Sequence, residues 1–233
     1  MSKSAPPACV IASNRPWNKN MAMRLQHRTG RRFESITDPA ELTVERLTTI
    51  NPQYLFFPHW SHRIDPAIFT RFECVIFHMT DLPFGRGGSP LQNLIARGID
   101  ETKISALKCV EAMDAGPVYL KRSLSLHGTA EEIFLRASAT IEEMIVEILE
   151  TRPMPCPQLG EPTVFKRRIT EQSNLTKVHS LEEAFDLIRM LDAEGYPHAY
   201  LEVGSLRLEF TRAARKTDHL LADVRITLSK PND

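Results

Sequence analysis

The sequence predicts an α/β fold with a mostly parallel sheet, followed by a small C-terminal α+β region. Short apolar runs recur at Cys9-Val10-Ile11-Ala12, Tyr54-Leu55-Phe56-Phe57 and Cys74-Val75-Ile76-Phe77. A continuous run of this kind suits a parallel strand covered on both faces. Segments with helical apolar spacing lie between them, as at Val44, Leu47 and Ile50. Beyond residue 175 the pattern changes to alternation around Gly204-Ser205, the mark of an antiparallel hairpin.

Taken in order, the strand over 9–12 ends in the turn-like Ser13-Asn14-Arg15-Pro16. A short helix opens over 20–26, and 32–37 alternates weakly as a second strand until Asp38-Pro39 stops it. A helix over 43–50 leads into the strand over 54–57. Asp65-Pro66 reads as a helix start, because proline's fixed φ and missing N–H suit the first helical position. The strand over 74–77 runs into a Gly- and Pro-rich loop over 81–88. Ser89-Pro90 then reads as an N-cap and first position of a helix to about 97. Strands are expected at 103–109 and 118–126. Thr129-Ala130-Glu131-Glu132 has the capping-box pattern, ahead of a helix to about 149. Arg152-Pro153-Met154-Pro155-Cys156-Pro157 is a linker, since its prolines cannot continue a helix. Beyond it lie a helix over 180–191 with an acidic N-terminus, a hairpin over 200–211 and a last strand over 223–228. The expected organisation is an α/β domain over 1–151 and a linker with a small α+β region over 152–233.

Composition narrows the partners. The 29 basic and 29 acidic residues cancel, and the pI of about 7.1 offers no basic footprint for nucleic acid. No apolar run approaches the ~20 residues that span a bilayer, and Met1-Ser2-Lys3-Ser4-Ala5-Pro6-Pro7 has no secretory apolar core. The four cysteines, Cys9, Cys74, Cys109 and Cys156, are isolated and lie in or beside apolar segments. They read as buried reduced thiols, and close zinc-ligand pairs are missing. The cytoplasm is the expected compartment. No membrane or nucleic acid is expected; a homodimer is compatible with the sequence.

In an open α/β sheet, ligands collect beyond the carboxyl ends of the strands. That directs attention to 58–62 and 78–88. His78 follows a buried strand, and an unperturbed imidazole titrates near pH 6.5, which suits proton transfer at neutral pH; a hydrogen-bonded core histidine is the alternative. In Pro58-His59-Trp60-Ser61-His62 the two histidines have no further ligand at fixed spacing, so no metal is implied. Trp60 could wall a flat ring or pack in the core. Gly85-Arg86-Gly87-Gly88, ahead of a helix, could hold an anion or form a tight turn. Asn14-Arg15-Pro16-Trp17-Asn18 lacks the glycine-rich fingerprint of a dinucleotide site. Lys166-Arg167-Arg168 reads as a solvated face.

The stretch His78-Met79-Thr80-Asp81-Leu82-Pro83-Phe84-Gly85-Arg86-Gly87-Gly88-Ser89-Pro90-Leu91-Gln92 resembles the folate-dependent formyltransferase family. In that family a strand ends in Asn-x-His and continues through Leu-Pro, Arg-Gly and Pro-hydrophobic-Gln. Leu82, Pro83, Arg86, Gly87, Pro90 and Gln92 fall on those positions without a gap. Met113-Asp114-Ala115-Gly116-Pro117-Val118 resembles the family's Asp-x-Gly loop, 36 residues beyond His78. Pro162-Thr163-Val164-Phe165-Lys166-Arg167-Arg168 resembles a segment found after the catalytic domain in the sugar-nucleotide branch. The resemblance covers about residues 50–170. It implies a Rossmann-like formyltransferase domain that uses 10-formyltetrahydrofolate as co-substrate and needs no metal. The acceptor it implies is the amine of a small amino sugar, nucleotide-linked in some members. The alternatives are a degenerate folate-binding relative and a methionyl-tRNA formyltransferase-like enzyme. It assigns His78 as general base and oxyanion partner, with Asp114 orienting it. It places Phe57, Pro58, His59, Trp60, Glu111 and Met113 around folate, and Arg86, Gly87, Gly88 and Gln92 near the acceptor.

An amine attacking a formyl carbon creates an oxyanion and a cationic nitrogen, so one donor and one base are needed. Here the chain departs from the family. The asparagine two residues before the histidine is Ile76, which donates nothing. Losing such a donor costs on the order of 10²–10³ in rate unless another group replaces it. His59, Ser61, His62 and Thr80 are the side chains expected within reach.

Overall fold

Cys9-Val10-Ile11-Ala12 are all buried and form β1 (Cys9–Ala12), from which the main sheet grows on both sides. The computed structural model describes residues 7–229. A 3-10 turn at Pro16–Asn18 precedes α1 (Met21–Thr29), which stops where Gly30 takes φ 66°. The chain returns as β2 (Phe33–Ile36), parallel to β1. In α2 (Val44–Ile50), Thr43 caps the start by accepting from the Arg46 N–H at 3.2 Å, and Leu47 is fully buried. Next, β3 (Tyr54–Pro58) pairs parallel with the other side of β1. In α3 (Pro66–Phe69) the Asp65 carboxylate accepts from the Ala67 N–H at 2.7 Å. Parallel to β3 runs β4 (Cys74–His78). The short β5 (Arg86–Gly87) and α4 (Pro90–Ile95) lead to β6 (Glu101–Lys108), which lies antiparallel to β4. With β7 (Val118–Ser125), the sheet order is β2-β1-β3-β4-β6-β7.

The long α5 (Ala130–Thr151) buries Ile133, Ala137, Ile141, Met144, Ile145 and Ile148 along one face. The Thr129 N–H donates to Glu132 at 2.8 Å, and the Glu132 N–H donates back to Thr129 Oγ1 at 3.3 Å. This reciprocal box satisfies two N–H groups that the first helical turn cannot. Arg24 and Arg28 of α1 pair with Glu142 and Glu143 of α5. After β8 (Val164–Phe165), α6 (Leu181–Arg189) starts at Ser180, whose Oγ accepts from the Glu183 N–H at 3.1 Å. Then β9 (Ala199–Val203), β10 (Leu206–Arg215) and β11 (Leu220–Leu228) form an antiparallel sheet in the order β11-β10-β9.

The chain groups into two compact units. The first takes in the described residues up to Gly87 with Thr102–Leu124 and Leu135–Val164; the second takes in Gly88–Glu101, Ser125–Phe134 and the described residues from Phe165 onward. In the first, Val10, Ala12, Ile36, Leu47, Leu55 and Phe57 share one core cluster. In the second, buried Arg189 bonds to Asp186 at 2.6 Å and to the carbonyls of Leu126 at 2.6 Å and Gly128 at 3.1 Å. Three of its five N–H donors are thus hydrogen-bonded. Among the described residues no helix is long and apolar enough to cross a membrane.

Two expectations need correction. Ser89 precedes α4 but does not cap it: its backbone is left-handed and its Oγ accepts from the Arg168 N–H at 3.1 Å. Cys156 is exposed, unlike the other three cysteines. Cys156 and Val118 exchange two backbone hydrogen bonds of 2.8 and 2.9 Å.

Replacing Thr129 with alanine removes the acceptor at the start of α5. The expected cost is about 1 kcal/mol, read as a lower urea midpoint with an unchanged slope; an unchanged midpoint rejects the box as a source of stability.

Candidate active site

In a strand, alternate residues share a face, so Cys74, Ile76 and His78 of β4 point the same way. His78 ends the strand and is buried. Its Nε2 lies 2.8 Å from the Gly85 carbonyl. A carbonyl only accepts, so the ring proton sits on Nε2 and Nδ1 is left as the proton acceptor. Nδ1 faces Asp114 Oδ2 at 3.6 Å.

Asp114 is itself held from three sides. Its Oδ2 accepts from the Gly87 N–H at 2.8 Å. Its backbone is left-handed, φ 52°. Two residues on, a Cβ added to Gly116 would come within 1.8 Å of the Lys108 carbonyl oxygen, so only glycine lets the loop pass this close to the end of β6. The Asp-x-Gly pattern is therefore a backbone requirement as well as a chemical one.

Gln158 completes the arrangement. Its Oε1 accepts from Arg86 Nε at 3.1 Å and Nη2 at 2.7 Å, while its Nε2 donates to the carbonyls of Asp114 and Gly116, both at 2.8 Å. The Gly85 and Arg86 N–H groups also meet the Thr163 carbonyl. Arg86, Gly87 and Asp114 are thus laced together through a side chain beyond the proline linker. No motif marks Gln158 in the sequence, because its role exists only in three dimensions. Gly88 and Gln92 belong to the second unit. A Cβ on Gly88 would meet Arg167 Cβ at 2.7 Å, and buried Gln92 donates to the Met190 carbonyl at 3.1 Å.

The neighbouring strand end holds the other expected residues. Pro58 aligns with Phe77 across the β3–β4 ladder. His59 takes φ 54°. Its Nδ1 accepts from Trp17 Nε1 at 3.0 Å and lies 3.3 Å from Asn18 Nδ2, while its Nε2 sits 3.3 Å from Met79 Sδ. Burial, aided by the Arg15 cation, pushes its pKa down to about 3. The ring is thus neutral, with its proton on Nε2 facing a thioether. Thr80 is fully buried, with Oγ1 3.4 Å from the Gly85 carbonyl that already serves His78. Ser61 accepts from Arg15 at 2.6 Å. His62 is exposed and lies edge-on to Trp60 with centroids 5.4 Å apart. Ile76 and Trp60 both pack against the core cluster that contains Phe57. The Trp60 indole N–H and the Asn18 amide oxygen are buried without a hydrogen-bond partner. Glu111 is exposed and accepts from Arg63 at 3.1 Å, and Met113 is 73 % exposed.

Residues 170–227 match the model of the methionyl-tRNA formyltransferase C-terminal domain. The chain is 50 % identical to the solved methionyl-tRNA formyltransferase from Clostridium thermocellum, covering 96 % of this chain and 100 % of that one with a TM-score of 0.94. It is 23 % identical over 181 residues to methionyl-tRNA formyltransferase from Wolinella succinogenes, covering 75 % of this chain and 58 % of that protein. The chain spans about half the length of the curated relatives it matches. HypX from Aquifex aeolicus, solved with tetrahydrofolic acid, shares the fold at 19 % identity and a TM-score of 0.74, over 88 % of this chain and 37 % of that one.

The depressed pKa of His59 has a consequence for acid stability. The unfolded ring takes up a proton near pH 6.5 and the folded ring only near pH 3, so the unfolded state binds more protons in between. Stability is therefore full above about 6.5 and falls as pH drops toward 3, by up to about 1.4 kcal/mol per pH unit. Urea midpoints at pH 7.5 and 5.5 should show the loss in the wild type. It should shrink in His59→Asn, which keeps an acceptor and tolerates the left-handed backbone. Equal pH slopes for the two proteins would falsify the assignment.

Proposed function

The chain belongs to the folate-dependent formyltransferase family, and on that premise we propose that it moves a formyl group from 10-formyltetrahydrofolate to the amine of methionyl-tRNA. The observation that carries the chemistry is the buried His78 Nδ1 facing Asp114 Oδ2 at 3.6 Å. Nδ1 takes the proton released by the attacking amine, and Asp114 stabilises the resulting imidazolium. The Gly87 N–H and the Gln158 lacing keep Asp114 in place.

The acceptor is supported by the likeness to the Clostridium thermocellum protein and by the match of residues 170–227. These favour tRNA over the amino sugar expected from the motifs. Balanced charge pointed away from nucleic acid because it averages the whole chain, whereas affinity for phosphates depends on local charge. One observation favours the sugar as a second reading: Arg207, Arg212, Arg215 and Arg225 are each ion-paired with an acidic side chain. A continuous basic face is therefore not on offer there. The proposed division is a catalytic region over 1–151 and a C-terminal region over 152–233.

For the folate, Pro58 and Trp60 would supply apolar wall on one side, and Glu111 and Met113 would stand on the loop before Asp114, with Phe57 and His59 behind. The unpartnered indole N–H of Trp60 and amide oxygen of Asn18 fit a ligand that both donates and accepts hydrogen bonds. Arg86 and Gly87 would flank the acceptor. Titration calorimetry with 5-formyltetrahydrofolate, a stable analogue, addresses the folate part independently of turnover.

Formyl transfer should be assayed with charged methionyl-tRNA beside a panel of amino sugars, including nucleotide-linked ones. Methionyl-tRNA is expected to be the better acceptor. His78→Ala and Asp114→Asn should each lower turnover by about 10²–10⁴ while circular dichroism stays native. Undiminished turnover in either variant rejects its role, and transfer confined to the sugars selects the second reading. Activity that appears only in Ile76→Asn identifies the natural chain as a binding relative without catalysis.

A further inference from the structure

Strand β11 stands at the edge of its sheet, bonded to β10 on one side and, among the described residues, to no strand on the other. Natural edge strands are usually blunted by being short or by carrying lysine, proline or a bulge. Leu220-Leu221-Ala222-Asp223-Val224-Arg225-Ile226-Thr227-Leu228 is nine residues long and contains neither lysine nor proline. The irregularity in this sheet falls on β10, between Thr211 and Ala214, and leaves the outer edge open.

One face of β11 is apolar throughout: Leu220, Ala222, Val224, Ile226 and Leu228. Val224 is 45 % exposed, Ile226 60 % and Leu228 74 %. The face continues across the sheet, where Phe210, Leu208 and Leu206 of β10 stand opposite Val224, Ile226 and Leu228. On β9, Ala199, Leu201 and Val203 continue it. An exposed apolar face beside an open edge points to another strand as its cover.

We infer that two copies of this chain pair antiparallel through β11 about a two-fold axis at Val224, joining the two three-stranded sheets into one. The residue pattern selects this register. With the axis at Val224, Val224 meets Val224, Ala222 meets Ile226 and Leu220 meets Leu228 on the apolar face. On the other face Asp223 meets Arg225 twice, and Leu221 meets Thr227. Moving the axis to residue 223 sets Asp223 against Asp223, and moving it to 225 sets Arg225 against Arg225; like charges directly opposite are destabilising. An axis between residues turns apolar side chains toward polar ones. The pairing is self-complementary, as a two-fold interface must be. RNA is the poorer occupant: the face carries no charge, and Arg225 already bonds to Glu209.

Sedimentation equilibrium on the full chain should give twice the chain mass at micromolar concentration. Asp223→Arg and Arg225→Asp each place like charges opposite one another in both symmetric pairs and should weaken the dimer about tenfold or more. The double exchange restores the opposite pairing and should recover the dimer. Contacts within one chain predict the reverse, since Arg225→Asp sets a carboxylate beside Glu209 and Asp223→Arg sets a guanidinium beside Arg212. Ile226→Lys, a change at an exposed position, should give a folded monomer by circular dichroism and serves if the charge variants misfold. A wild-type monomer at 100 µM overturns the inference, as does a dimer untouched by Ile226→Lys. A shift in mass only on adding RNA replaces the second copy with nucleic acid.

Discussion

The Asp114 carboxylate is the point on which the site depends. One oxygen both accepts the Gly87 N–H at 2.8 Å and faces His78 Nδ1 at 3.6 Å. The backbone beneath it cannot relax, because Gly116 sits under the Lys108 carbonyl with no room for a Cβ. Gln158 binds the carbonyls on either side of this turn and the Arg86 guanidinium at once. A buried carboxylate persists only when its hydrogen-bonding capacity is used. Here the same bonds that satisfy it also aim it at the imidazole. Loss of any one of them would leave a partner unsatisfied, so the loops around 86 and 114 stand or fall together.

Much of this was legible along the chain. The apolar runs at 9–12, 54–57 and 74–77 became β1, β3 and β4 because buried parallel strands need no polar face. Caps at Thr43, Asp65, Thr129 and Ser180 lie where local hydrogen-bond chemistry alone places them. His78 and Asp114 were paired by the resemblance of their two motifs to those of the family, and they lie 3.6 Å apart. What escaped depends on distant partners. Ser89 abandons its cap because Arg168 offers its N–H. Cys156 is exposed because its backbone, rather than its thiol, binds Val118. Trp17 and Asn18 meet His59 across 42 and 41 positions, and Gln158 reaches Asp114 across 44. No periodicity or short motif reports contacts of that range.

Ile76 changes what the neighbouring strand end can do. An asparagine at that position would share the face of His78; isoleucine packs into the cluster with Phe57 and Trp60 instead. The strand gains apolar contact and gives up a donor. His59, held neutral by burial, is tied to Trp17, Asn18 and Met79. Exposed His62 is then the remaining imidazole of the segment, and its position beside Trp60 puts it at the open side of the cluster.

The contrast among the cysteines has a practical side. Cys9, Cys74 and Cys109 are buried, and burial pushes all three thiols up, to about 11 for Cys9 and Cys109 and higher for Cys74. The thiolate is the form that attacks thiol reagents, so these three are shielded by both access and ionisation. Cys156 alone is exposed among them, anchored by its backbone to the first residue of β7 and two positions from Gln158. The native chain thus carries a ready-made attachment point for a single fluorophore, placed to report on the segment that holds Asp114.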